Sequence, residues 1–404
     1  MSSAQHTPDV LVIGAGPAGI ASAYALQQAG FDYLVIDRAE QIGSTWASLY
    51  PSLTLNTSRW FSHMPGAPFP RHFGIFPRGS QYHAYLLDYV RQHRFNIQLG
   101  VSVQRVARAG TLWRVETSAG EFRVPVVIAA TGIFGGPVLP QIEGMDDFQG
   151  TLLHAHDFRD PAQVANQRVL VVGSGPSGVD IAVAAGDVAR SVHIAIRSGI
   201  SLKRRYPLGL PQHAWLLLGE RLPRAWCRAL MRFMGRFGYP DQERYGLPLP
   251  RGSGGITAYQ GPELLDAVKA GRVQPIGAPL RFDADAVIFA DGQRLAFDTI
   301  ILATGYRPVL HDYLDVPMQF SEVEFTATSA CDWQVGPNGE RGWPLLDRSQ
   351  HPNGRQVLGQ PGLYIVGTFY KGKGAMYNFN VEAAIAAQQI REYLTTREQQ
   401  PASA

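Results

Sequence analysis

Short unbroken apolar runs, each closed by a glycine-rich turn and followed by an alanine-rich stretch, occur at two places along this chain. Val10, Leu11, Val12 and Ile13 form the first run, within Asp9 to Gly14, and Arg168 to Gly173 forms the second. Runs this short with no polar alternation predict strands buried on both faces, as in a parallel sheet. Pro17 to Gly30 and Pro176 to Gly186 then read as helices, and Tyr33 to Asp37 and Ser191 to Ile196 as the next strands. The grammar continues in parallel. Leu112 to Val124 predicts a hairpin turning at Ala119 and Gly120, leading into Val126 to Gly132; Val287 to Phe297 predicts another turning at Asp291 and Gly292, leading into Thr299 to Gly305.

A repeat on this scale predicts an α/β fold of two Rossmann-like dinucleotide-binding domains rather than a solenoid. Gly362 to Gly367 reads as a further buried strand and Asn380 to Arg397 as a closing helix, so the chain returns to its first domain and the second is inserted within it. The expected division is 1–147 for the first part of the first dinucleotide-binding domain and 148–160 for a linker. The second dinucleotide-binding domain follows at 161–302, with an insertion at 201–255, and 303–404 makes the return. Thr368 to Phe379, rich in glycine and aromatics, is expected to wall a ligand pocket.

The cofactor of each domain follows from its turn and from the residue at the end of its second strand. The first turn holds Gly14, Gly16, Pro17, Ala18 and Gly19; the second holds Gly173, Ser174, Gly175, Pro176, Ser177 and Gly178. Glycines at this spacing allow a tight turn, close approach to a pyrophosphate and close helix packing. One such turn is weak evidence; two in strand-and-helix context are strong. The first unit ends in Asp37 and Arg38, and a carboxylate there accepts hydrogen bonds from a ribose hydroxyl; the second ends in Arg197 and Ser198, which suit a 2′-phosphate. Hence FAD is expected in the first site and NADPH in the second. Val103, Thr131 and Gly132 are expected to line the former, and Ala303, Thr304 and Gly305 the latter. The competing readings are a helix-capping role for Asp37 and a solvated charge for Arg197. Lys203, Arg204 and Arg205 either add positive potential or are ordinary loop charges.

Composition narrows the class. The 404 residues are 45% hydrophobic and 17% charged with a formal net charge of +3, which fits a chain of two or three globular domains and gives no case for a nucleic-acid partner. Only two cysteines occur, Cys227 and Cys331, in no Cys-x-x-Cys arrangement, so a disulfide framework, a zinc site and the redox-active pair of the disulfide reductases are not expected. His154 and His156 form a His-x-His pair without recognisable further ligands, and no metal is expected. With no signal peptide or spanning segment evident, a cytoplasmic protein is expected.

The insertion fits neither repeat. Arg221, Arg224, Arg228 and Arg232 fall at helical spacing, while Trp226, Leu230, Phe233 and Met234 share another face. Three readings stay open: an amphipathic helix packed on the domain with its arginines in solvent, a lid over the substrate entrance, and a contact with a membrane surface.

Between the halves, Phe148, Gly150, His154 and Phe158 occupy the four fixed positions of a pattern that resembles the identifying sequence of flavin-containing monooxygenases. Gly43 to Trp46 is similar to that family's tryptophan loop near the flavin, and Ala303 to Tyr306 to a linker motif shared with its YUCCA branch. Met64 to Pro70 is similar to a proline-rich stretch of both. The resemblance spans nearly the whole chain. It implies NADPH-dependent reduction of FAD, capture of O2 as a C4a-hydroperoxide, and transfer of one oxygen atom to a small organic substrate, most simply at nitrogen or sulfur. Asn56 matches the family asparagine that reaches the flavin and its oxygen adduct, where YUCCA sequences carry histidine; the alternative for Asn56 is a turn residue. The resemblance also implies an interdomain linker role for the segment of His154, and a homodimer. Rival readings are YUCCA-type decarboxylation of an α-keto acid, Baeyer–Villiger oxidation, whose signature ends in tryptophan where this chain has Phe158, a siderophore-type hydroxylase, and a flavin redox sensor.

Overall fold

A computed structural model describes residues 7–250, 259–320, 344–351, 353–367 and 374–399. The first lobe opens with β1 (Val10–Ile13), α1 (Pro17–Ala29), β2 (Tyr33–Ile36), α2 (Ser44–Ala47), α3 (Gly79–His93) and β3 (Ile97–Gln98). Then come β4 (Val103–Ala109), β5 (Leu112–Thr117), β6 (Gly120–Val124), β7 (Val126–Ala129) and β8 (Gly136–Pro137). The second lobe contains β9 (Thr151–His154), β10 (Arg168–Val172), α4 (Pro176–Ala185), β11 (Ser191–Ala195), β12 (Leu202–Lys203), α5 (Gln212–Glu220) and α6 (Arg224–Gly235). It continues through β13 (Tyr259–Gln260), α7 (Glu263–Lys269), β14 (Gln274–Ile276), β15 (Pro279–Phe282), β16 (Ala286–Phe289), β17 (Arg294–Ala296) and β18 (Thr299–Leu302). The return comprises β19 (Tyr306–Arg307), β20 (Leu363–Ile365) and α8 (Ala375–Gln399).

Each lobe is built on a five-stranded parallel sheet, ordered β20-β7-β1-β2-β3 in the first and β14-β11-β10-β18-β9 in the second. All four residues of β1 are buried, as are those of β7 and β18, because helices and loops cover both faces of a parallel sheet. The strand completing the first sheet comes from the C-terminal return, so the second lobe is inserted into the first. Two short antiparallel strands, β8 and β19, pair side by side where the chain leaves and re-enters.

α1 starts at Pro17, whose fixed φ suits the first helical position, and stops at Gly30 in the left-handed conformation (φ +77°). α8 packs along α1, burying Ala383, Ala386, Ala387 and Ile390 in the same core as Ile20 and Ala23.

Four details depart from the sequence reading. Each expected hairpin carries a third antiparallel strand, β4 and β15. The expected linker at 148–160 supplies β9, the edge strand of the second sheet. The insertion forms two helices, and its apolar residues do not pack as one face: Cys227 is buried and Leu230 and Met234 half-buried, but Trp226 and Phe233 are exposed. Finally, Cys227 is disulfide-bonded, which corrects the expectation drawn from isolated cysteines; Cys331 lies outside the described residues. Residues 368–373 of the expected pocket wall also lie outside them.

Candidate active site

The two glycine turns are superimposable in logic. Gly14 (φ +111°) and Gly173 (φ +117°) adopt a backbone conformation side-chain-bearing residues avoid, and a Cβ there would lie 2.6 Å from the Ala130 carbonyl oxygen and 2.4 Å from that of Ala303. A Cβ on Gly19 would sit 1.8 Å from the Gly14 oxygen, and one on Gly178 2.1 Å from that of Gly173. Gly16 and Gly175 face open space, where a Cβ would fill the room a phosphate needs at the helix N-terminus. Pro17, Ala18, Pro176 and Ser177 open the helices behind them. This explains the pairing of each turn with an Ala-Thr-Gly segment. Ala130, passed over in the sequence, is the partner of Gly14, and its equivalence to Ala303 was the available signal.

At the corners, Asp37 accepts the Ala15 amide through Oδ2 (2.6 Å) and the Ala39 amide through Oδ1 (2.8 Å), leaving lone pairs on both oxygens for a ribose diol. Arg38 is exposed. The Val101 amide donates to the Asp37 carbonyl at 2.8 Å, bringing Val103 to the start of β4 near that corner. Arg197 and Ser198 are exposed just beyond β11, and among the described residues Arg197 makes no ion pair. The basic residues behind it are otherwise engaged: Arg205 pairs with Glu263 at 2.9 Å and Arg204 lies 5.5 Å over the Tyr239 ring. Lys203 is exposed on β12.

Asn56 is half-buried in a segment held on both sides by backbone bonds, Leu55 to Pro77 and Arg59 to Ile75. The C-terminal return abuts it: a Cβ on Gly374 would meet Thr57 Cγ2 at 2.3 Å, and Asn380 Nδ2 on α8 donates to the His63 carbonyl at 2.8 Å. Ser58 Oγ and Asn380 Oδ1 are buried with no partner among the described residues, and buried polar atoms of this kind fit a polar heterocycle such as the flavin ring. Trp46 on α2 packs 4.4 Å from the Tyr82 ring. Thr131 Oγ1 lies 3.3 Å from the Tyr313 hydroxyl, while Gly132 follows it with φ +70°.

The lobes are joined by contacts that sequence reasoning missed. Tyr50 donates to Asp180 Oδ2 on α4 (3.1 Å), and Phe158 packs against Tyr50. His154 is buried; its Nε2–H donates to the Gly305 carbonyl (3.1 Å) and its Nδ1 accepts the His156 amide (3.0 Å). Burial lowers its pKa, so the ring is a neutral tautomer with both nitrogens occupied. Thr304 Oγ1 donates to the Val138 carbonyl (2.6 Å), bonding the two crossings to each other. From the insertion, α5 presses His213 against Phe61 (5.4 Å) and Phe76 (6.2 Å) of the first lobe, and Phe61 also meets Tyr377. His213 is buried, its Nδ1 has no partner among the described residues, and desolvation pushes its pKa down to about 4.

The arrangement matches known proteins over its length. Residues 11–207 match the family described as pyridine nucleotide-disulphide oxidoreductase. The chain is 27% identical over 410 residues to the probable indole-3-pyruvate monooxygenase YUCCA8 of Arabidopsis thaliana, covering 97% of this chain and 90% of that one. It is 29% identical over 320 residues to the indole-3-pyruvate monooxygenase YUCCA1 of Oryza sativa subsp. japonica, covering 76% and 79%. Among solved structures, a flavin-containing monooxygenase from Stenotrophomonas maltophilia superposes with a TM-score of 0.69 at 24% identity, over 96% of this chain and 100% of that one.

Proposed function

This chain belongs to the flavin-containing monooxygenase family, with similarity to its YUCCA branch, and on that premise we propose that it oxygenates a small organic substrate at nitrogen or sulfur. It is an oxidoreductase that uses FAD and NADPH. FAD and NADPH, when bound, would supply the redox chemistry: hydride transfer to the flavin and activation of O2 for transfer of one oxygen atom. The protein's own contribution is binding, orientation and exclusion of water. In this reading the amides of the Gly14 to Gly19 turn and the N-terminus of α1 hold the FAD pyrophosphate, and Asp37 holds a ribose. The Gly173 to Gly178 turn holds that of NADPH, with Arg197 and Ser198 on its 2′-phosphate. Asn56 offers both donors and an acceptor without taking up charge.

The observation that supports nitrogen or sulfur is the aromatic surroundings of the Asn56 segment, whose own cation, Arg59, is turned to the Phe69 and Arg71 carbonyls. Phe61, Phe76 and Tyr377 are aromatic, His213 is neutral, and Arg205, the cation over Phe76, is already paired with Glu263. Electrophilic transfer to a lone pair requires no base and no stabilised anion; attack on a carbonyl requires an anionic oxidant. A second reading, oxidative decarboxylation of an α-keto acid, is favoured by the names of the curated relatives. Product analysis separates the two. The first predicts one sulfoxide or N-oxide formed per NADPH from a thioether or tertiary amine. Turnover confined to indole-3-pyruvate, with CO2 release, would establish the second instead. The proposal includes a homodimer, tested by light scattering, and a cytoplasmic location; among the described residues no helix is long and apolar enough to cross a membrane.

A further inference from the structure

We infer that the α5–α6 insertion is a docking surface for an anionic lipid bilayer. Five large apolar side chains face solvent there: Leu217 and Leu218 on α5, Leu222 in the connection, and Trp226 and Phe233 on α6, the last two 70% and 48% exposed. Trp226 and Phe233, seven residues apart, share one ridge of α6. The helix is anchored from another side, where Cys227 is buried, so the ridge is held outward.

Charge selects the occupant. Arg232 and Arg236 flank the ridge, Arg228 lies farther round the helix, and all three and Arg221 are exposed. Residues 212–236 carry five arginines and one glutamate, a net +4, whereas the whole chain carries only +3. A second copy of the same face would bring these arginines against each other. An acidic protein would satisfy them but would also need a groove shaped to an apolar surface spread over two helices and their connection. A fluid bilayer needs no shape match: tryptophan, phenylalanine and leucine enter the acyl boundary while arginines reach anionic headgroups.

The test is flotation of the FAD-loaded enzyme with vesicles of phosphatidylcholine alone or mixed with phosphatidylglycerol. Binding to the mixed vesicles should exceed binding to the neutral ones by roughly tenfold or more, and should fall as salt rises from about 0.1 M to about 0.5 M. Trp226→Ser with Phe233→Ser, and separately Arg232→Glu with Arg236→Glu, should each abolish flotation while FAD content and NADPH oxidation stay at the wild-type level. Equal flotation with both vesicle types, or none with either, overturns the inference. So does self-association of the wild type that the Trp226 and Phe233 substitutions remove, which would make a second copy the occupant.

Discussion

Replacing Arg197 by alanine isolates one contact, because NADPH and NADH differ only in the 2′-phosphate that this guanidinium is proposed to meet. A charge-assisted hydrogen bond contributes about 1.5 to 3 kcal/mol when shielded. Arg197 is exposed at the end of β11 and makes no ion pair among the described residues, so solvent screens it and nothing else must reorganise when it is lost. The expected loss is therefore about 1 to 2 kcal/mol, or roughly a five- to thirtyfold rise in the Kd for NADPH. NADH binding should change less than about twofold, since the turn amides and α4 that hold its pyrophosphate are untouched. Anaerobic titration of the FAD-loaded enzyme with each nucleotide, at low and high salt, gives both constants. Added salt should shrink the wild-type preference and leave the variant nearly unaffected. Equal weakening of both nucleotides would refute the assignment, and an unchanged NADPH constant would move the phosphate to another cation.

Other perturbations test the remaining parts. Gly178→Ala forces a Cβ to within 2.1 Å of the Gly173 oxygen, so NADPH reduction should be lost while the protein stays yellow; Gly19→Ala should do the converse and lose FAD, as absorbance of the purified protein would reveal. Asn56→Ala should retain FAD and its reduction by NADPH but divert oxygen to hydrogen peroxide, read as peroxide released per NADPH. His213 is buried with a pKa of about 4, below its ordinary 6.5, so the unfolded chain binds the extra proton between those values. Its contribution is complete above about pH 6.5 and declines as pH falls toward 4, by about 3 kcal/mol over the window. His213→Phe should flatten the fall in Tm between pH 7 and pH 5, and an unchanged fall would show that other groups carry the acid sensitivity.

Local chemistry determined what the sequence revealed. Both glycine turns were legible because only glycine tolerates φ near +115° against a carbonyl 2.4 to 2.6 Å away, so the requirement is written in residue type. β4 was not foreseen because Gln104, Arg105 and Arg108 break its apolar run; it is stabilised by pairing with β5 and by the burial of Val106 and Ala107 alone. Amphipathic spacing left the ridge of Trp226 and Phe233 undecided, because it states that two faces differ, not which of them meets protein. Tyr50 and Asp180 lie 130 positions apart, and no local pattern announces a hydrogen bond between lobes. Asn56 was located by resemblance, yet the α8 bracing behind it, through Asn380, emerged only from the fold.

The pairing of β20 with β7 has a consequence for biosynthesis. Leu363 aligns with Val127, so the first sheet cannot be completed until more than two hundred further residues have left the ribosome. β9 through β18 emerge meanwhile as a set that closes on itself, which makes the inserted lobe the first to mature. Until then the nascent chain displays the apolar edge of β7 and the α8-facing side of α1, the surfaces a chaperone would be expected to shield. Deleting α8 should accordingly yield a polypeptide whose second lobe still resists protease while its first is digested.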